Sequence, residues 1–239
     1  MPFFEKFFSV IYEDNHLLIV NKKSGILVQG DETGDTPLSE HVKAYLKEKY
    51  QKEGNVFTGV VHRLDRPVSG LVVLAKTSKA LERMNEMFRE KNVHKIYWAI
   101  VGFKPLKVEG TLIHWLVKDK AKNISRAFLK EKTEGLRSEL DYRILAEKKG
   151  FYLLEVSPKT GRPHQIRVQL AAMHCPIAGD VKYGYPKANE DGSINLHARA
   201  LEFIHPVKKE PLKVTAGLPE NNLLWNLFKD YKDESSFKY

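Results

Sequence analysis

The sequence predicts an α+β protein, and three observations lead there. Short apolar runs with period-two alternation recur along the chain, the pattern of half-buried strands. Capped segments with apolar residues at helical spacing lie among them, one opened by Thr36-Pro37 and one by Ser78. No repeat, low-complexity tract or Pro/Gly/Ser linker divides the chain, so residues 1–239 are expected to form one domain.

The elements follow in order. Residues 10–20 read as two short strands around Glu13-Asp14-Asn15, and Asn21-Lys22-Lys23-Ser24-Gly25 makes a polar turn before Ile26-Leu27-Val28. Thr36 offers a hydroxyl cap, Pro37 suits the first helical position, and Leu38, Val42 and Leu46 recur every four residues. After Gly54, residues 56–61 lead as a strand into His62-Arg63-Leu64-Asp65-Arg66-Pro67-Val68-Ser69-Gly70. Pro67 biases Arg66 towards extended backbone, and Leu71-Val72-Val73-Leu74-Ala75 reads as a core strand. Asp65 is then an acid on a stiff loop, held between Arg63 and Arg66 and feeding a rigid strand. By spacing alone, a site of chemistry and an ordinary surface ion pair are equally good readings.

Ser78 caps the next helix, whose inward stripe is Leu81, Met84 and Phe88 and whose end is Asn92. In the strand over residues 96–101, alternation sets Tyr97, Ala99 and Val101 on one face and Ile96, Trp98 and Ile100 on the other. Residues 138–146 and 151–157 form a hairpin around Lys148-Lys149-Gly150. Pro163 suits a helix start, with Ile166, Leu170 and Met173 buried; His164 and Arg167, three apart, share a different face. Leu196-His197-Ala198 with Phe203-Ile204-His205-Pro206 reads as a strand and its exit, and residues 222–228 as a short helix.

Composition narrows the function. Hydrophobic residues make up 42%, in short runs far below the ~18 that a membrane helix needs. The first residues lack the layout of a secretion signal, and Cys175, the single cysteine, permits no internal disulfide, which suits a reducing cytoplasm. The net charge of +9 suggests a polyanion partner. From Lys104 to Arg137 nine Lys/Arg face four acids, with Lys118, Lys120 and Lys122 at the centre and Asn123, Ser125 and Phe128 interleaved. That tract is a solvated loop or, better, a phosphate-tracking surface. None of the nine histidines forms a zinc motif with cysteines, so no metal is expected.

His62-Arg63-Leu64-Asp65, a short gap, then Ser69-Gly70-Leu71 and an apolar run ending in Ala75-Lys76 resembles the catalytic signature of the RluA-type pseudouridine synthases. These enzymes isomerise chosen uridines in ribosomal or transfer RNA. Asn21-Lys22-Lys23-Ser24-Gly25 resembles that family's opening motif, with Lys23 where proline is usual. Lys95-Ile96-Tyr97-Trp98-Ala99 resembles the second motif. The run from Lys159 to Gln169 resembles the third, with Gln169 where histidine is usual. The resemblance covers residues 10–206. It implies a mixed, mostly antiparallel central sheet flanked by helices, with the active-site cleft across its middle. The small N-terminal RNA-binding domain of some relatives is expected to be absent, since about nine residues precede the first motif.

The resemblance also assigns roles. Asp65 is the carboxylate at the anomeric carbon and the base, as nucleophile or as base. Arg167 is the buried cation that keeps it charged where burial alone would neutralise it. Tyr97 packs on the uracil and is the candidate base for the carbon-5 proton. Arg63 holds the space that the flipped uridine leaves, His62 shapes the loop, and Leu64 and His164 complete the expected substrate contacts. Thr160 and Arg162, read at a helix N-terminus, are expected phosphate contacts. The reaction has no net redox change, so no cofactor is expected. The implied partner is one stem-loop of tRNA or rRNA, bound by a cytoplasmic monomer. A non-catalytic RNA-binding protein with this fold is the alternative, against which the intact Asp65, Tyr97 and Arg167 argue. A kinase-like reading of His-Arg-Leu-Asp fails for want of a glycine-rich phosphate loop and an Asp-Phe-Gly motif.

Overall fold

The computed structural model of the protein describes residues 3–220 and 222–231. Residues 1–2, 221 and 232–239, which the expected domain includes, lie outside that description. After a 3₁₀ turn at Phe3–Lys6 come β1 (Phe8–Glu13) and β2 (Leu17–Lys22). They are joined where Asp14 Oδ1 accepts from the backbone of His16 and Leu17. Lys23 N donates to Phe7 O, a bond that proline at this position could not make.

In α1 (Leu38–Lys49) Leu38, Val42 and Leu46 are buried, as their spacing predicts. Its cap position is Pro37, one residue past the expected Thr36, and no side chain caps it. In α2 (Ser78–Arg89) the cap is Thr77, not Ser78: Thr77 Oγ1 accepts from Ala80 N at 3.2 Å. The strand expected over 56–61 shrinks to β3 (Gly59–Val60). Its partner β4 (Ser69–Ala75) is buried throughout. The chain leaves the edge of β4 at His62, whose Nε2 accepts from Val73 N at 3.1 Å. An imidazole thus replaces a ladder bond, and the released backbone becomes the Asp65 loop.

Next follow β5 (His94–Val101), β6 (Glu109–Asp119), β7 (Ile124–Phe128), β8 (Leu136–Lys148), β9 (Phe151–Pro158) and α3 (Gln165–Ala172). A 3₁₀ turn at Val181–Tyr183, β10 (Leu196–Ile204), β11 (Pro211–Thr215) and α4 (Leu223–Leu227) complete the described elements. The basic tract runs through the β6–β7 hairpin to the start of β8: Lys118, Arg126 and Arg137 lie on strands, and the other six lysines lie on the turns and connections around them. Helix α3 begins two residues after Pro163 and is buried all round from Gln165 to Leu170, not along one stripe. It is pressed between the β6–β7 hairpin and the groups beneath Asp65.

Among the described residues the strands form one eleven-stranded sheet in the order β1-β2-β4-β10-β5-β9-β8-β6-β7, with β11 on β10 and β3 on β4. Every pairing is antiparallel except β4 with β10, where Ser69 pairs with His197 and Gly70 with Ala198. Gly70 is at φ 116°, and a Cβ there would lie 2.4 Å from Ala198 N and O. Only glycine lets the two backbones come this close. Ser69 Oγ, 2.9 Å from Nδ1 of the buried His197, ties the same crossing. On β5 the expected alternation holds. Tyr97, Ala99 and Val101 join the main core, while Ile96, Trp98 and Ile100 pack with Trp225 and Phe228 at α4.

Candidate active site

The Asp65 loop is built by its neighbours. Pro67 O accepts from Ile194 N, and Val68 N closes a turn onto Asp65 O. Arg66 O accepts from Gly25 N and from Lys22 Nζ, whose other acceptors are Lys23 O and Ile26 O. Lys22 is wholly buried, and burial draws its ammonium down to about 7 while the Asp65 charge opposes. This lysine positions the loop from below. Arg66 does not hold Asp65, contrary to the reading of the loop alone. Its guanidinium pairs with Asp35 at 2.7 Å and donates to Gly25 O.

The cation on Asp65 is Arg167. Its Nη1 donates to Asp65 Oδ2 at 2.9 Å, as the resemblance implied. Its other face is held by Asp180, with Nε to Oδ2 at 2.7 Å and Nη2 to Oδ1 at 2.8 Å. Burial works against the Arg167 charge, but the bonds and charges of Asp180 and Asp65 outweigh it and raise its pKa. Asp65 Oδ2 carries that bond, and Oδ1 takes no protein hydrogen bond among the described residues. The side chain remains 28% exposed. Asp180 was not read from the sequence. A lone acid after the apolar run Pro176-Ile177-Ala178-Gly179 was the signal, since a buried acid requires a partner.

His164 stands at the start of α3 in the left-handed region, at φ 56° and ψ 19°. Its Nε2 lies 3.9 Å from Asp65 Oδ2 and its Nδ1 2.7 Å from Tyr183 Oη. Burial, against Asp65 and with Arg167, Lys118 and Lys182, pushes its pKa down to about 4. Tyr183 also lies under the Arg167 guanidinium, at 5.0 Å from its ring centre.

Tyr97 reaches the site through the sheet. It pairs with Ala198 on β10, which pairs with Gly70 on β4, two strand spacings or ~10 Å away. Burial and then the Asp65 charge raise the phenol's pKa, so the hydroxyl is protonated at neutral pH.

The remaining expected contacts divide. Arg63 is exposed, and Lys120 and Lys122 are exposed at the hairpin turn. Lys118 is half-buried; its charge is disfavoured by burial and favoured by Asp65. Lys118 and Arg162 line one cavity of ≈ 160 Å³ with Leu116, Ser125, Leu136 and Pro163. His62 stacks on Phe88 and supports β4, the loop-shaping half of its expected role. Leu64 is 7% exposed and packs in the core beneath the loop. The Thr160 hydroxyl accepts from Glu139 N and donates to Gln165 Oε1, leaving no proton for a phosphate. Gln169 is fully buried, and its amide donates to Leu112 O at 3.0 Å and reaches His114 Nδ1 at 3.1 Å. The glutamine therefore anchors α3 to β6.

Solved structures identify this arrangement first by fold. The chain superposes on human RNA pseudouridylate synthase domain containing 4 with a TM-score of 0.74 at 24% identity, covering 89% of each chain. For human RNA pseudouridylate synthase domain containing 1 the TM-score is 0.70 at 22% identity, over 89% of this chain and 84% of that one. Residues 16–172 match the family model for RNA pseudouridylate synthase, and the chain belongs to that family. Ribosomal large subunit pseudouridine synthase C of Vibrio cholerae is 34% identical over 87% of this chain and 65% of its own length. tRNA pseudouridine synthase C of the same organism is 30% identical over 88% of this chain and 91% of its own length. The chain thus spans just under two thirds of the ribosomal relative. Among the described residues no helix is long and apolar enough to cross a membrane.

Proposed function

We propose that this protein isomerises uridine to pseudouridine in RNA, acting on a stem-loop of tRNA or large-subunit rRNA. One observation carries the reading: a partly exposed carboxylate, Asp65, is held by a buried arginine on one oxygen and, among the described residues, takes no hydrogen bond on the other. Relatives named for both rRNA and tRNA synthases support it. In the reaction the bond from ribose C1′ to uracil N1 breaks, the ring turns, and C1′ joins carbon-5. The carbon-5 proton leaves and a proton returns to the ring, so atoms and electrons balance without a cofactor.

Each side chain has a part in this. Arg167 keeps Asp65 ionised, and Oδ1 is the oxygen available to the nucleoside. Tyr97 lies under the uracil. Because its phenol is protonated at rest, it serves the carbon-5 step by relaying a proton rather than as a standing base. Arg63 fills the space of the flipped base, whose unstacking costs a few kcal/mol. Lys118, Lys120, Lys122 and Arg162 take phosphates. The protein works as a single catalytic domain, a cytoplasmic monomer. Mapping pseudouridines in cells with and without the gene, then adding purified protein to the unmodified RNA, tests the reading. One or a few uridines should regain the modification; no difference in either arm removes the proposal.

A further inference from the structure

We propose that Tyr183 is a positioning residue that fixes His164 in its Nε2–H tautomer and makes that ring a hydrogen-bond donor beside Asp65. The inference rests on the synthase reading above and adds a residue to it. It starts from the backbone. A position before a helix normally carries Ser, Thr, Asp or Asn in extended conformation. Here His164 occupies it in the left-handed region and caps nothing with its side chain. Non-glycine residues held there cost free energy that the surroundings must offset, and such positions cluster at functional sites. What the conformation achieves is the placement of the imidazole between Asp65 and Tyr183.

The tautomer follows from counting protons. Ser125 N, on β7, donates to Tyr183 Oη at 2.9 Å, and a backbone N–H can only donate. The phenol has one proton to give. Among the described residues the other partner on that oxygen is His164 Nδ1, at 2.7 Å. Oη has a second lone pair, but if it accepted from Nδ1 as well, the phenol proton would find no acceptor among the described residues; giving that proton to Nδ1 pairs every group and leaves the ring's own proton on Nε2, facing Asp65. The groups around the ring are Asp65 from the loop, Arg167 from α3, Lys118 from β6, and Lys182 and Tyr183 from the 3₁₀ turn. Three cations against one carboxylate, together with burial, disfavour an imidazolium.

Nε2 and Asp65 Oδ2 are 3.9 Å apart, too far for a direct hydrogen bond. A hydroxyl between them accepts from Nε2–H and donates to the carboxylate, satisfying both. The target nucleotide carries such a group on its ribose.

Nitrogen-15 NMR of histidine-labelled protein at neutral pH, with His164 identified by its loss in His164→Gln, reads the tautomer in the native chain. The expected pattern is a pyridine-like Nδ1 and a pyrrole-like Nε2. The opposite tautomer, or an imidazolium, overturns the inference whether or not the protein modifies RNA. Tyr183→Phe should mix the tautomers; an unmixed Nε2–H signal in that variant removes Tyr183 from the role. On RNA, Tyr183→Phe should lower kcat about tenfold with KM unchanged, and Tyr183→Phe with His164→Gln should be no slower than His164→Gln alone. Additive losses would show two independent roles and overturn the coupling.

Discussion

Asp65 and Arg167 are 102 positions apart in the sequence and 2.9 Å apart in space, and the arginine that reaches Asp65 is itself gripped by two bonds from Asp180. The pair is unequal: Asp180 anchors the cation and Asp65 draws on it. Asp65→Asn should therefore leave the melting temperature within a few degrees of wild type, because Asp180 still holds Arg167. The same variant should bind RNA and form no pseudouridine. Nucleoside analysis of treated RNA decides it, and product from the purified variant would remove Asp65 from the chemistry.

Arg167→Met should behave differently. It strands Asp180, 1% exposed at its side chain, without its cation. Breaking a buried pair in this way costs about 3–5 kcal/mol, so denaturant melting should show a large loss alongside the loss of activity. A variant of wild-type stability would show that another cation reaches Asp180.

Tyr97→Phe keeps the ring and removes the hydroxyl. RNA affinity should persist, while tritium release from carbon-5 of labelled uridine should slow about 10²–10⁴-fold, the range for a lost proton-transfer group. Unchanged release would confine Tyr97 to packing.

Gly70→Ala should destabilise by about 4 kcal/mol or more, in the range seen for strain and overpacking. The new methyl would meet the Ala198 backbone, and the residue would have to keep a φ that L side chains rarely adopt. A melting temperature near wild type would mean that β4 and β10 can separate without cost.

Reversing the charges of Lys118, Lys120 and Lys122 together should weaken RNA binding and flatten its salt dependence by about 0.7–0.9 in the log–log slope per lost phosphate contact. The choice of uridine should not change, because phosphate contacts carry no sequence information. Binding titrations across a salt series give the slope. An unaltered slope would take the β6–β7 hairpin off the RNA path.

Much of this molecule is legible in its sequence, and the rest is hidden for identifiable reasons. The buried run of β4 follows from its unbroken apolar residues, and the two faces of β5 from alternation, since the pleat decides which side chains turn together. Asp65, Tyr97 and Arg167 were found by resemblance, because no local pattern brings residues so far apart to one place. β6 was hidden inside a stretch read for its flanking lysines and arginines, although its own residues 110–117 carry no Lys, Arg, Asp or Glu and Leu112, His114 and Leu116 keep a period of two. Asp180, Tyr183 and Lys22 act through partners on other elements, which spacing along the chain does not reveal. The same holds for Arg66, which looks like a partner of Asp65 in sequence and turns to Asp35 in the fold.

The place of β10 in the sheet sets the order in which the fold can be completed. β10 fills the slot between β4 and β5, yet about 95 residues separate the end of β5 from its start. At ribosomal speeds that interval takes on the order of 5–20 s. Through it, β4 and β5 have been synthesised but the strand that belongs between them has not. A nascent chain at that stage exposes two sheet edges, a known hazard for aggregation. Arg167 emerges from the ribosome before β10, whose Ala198 pairs with Gly70 at the end of the Asp65 loop. The sheet around Asp65 is thus closed late, by the strand that joins its two halves.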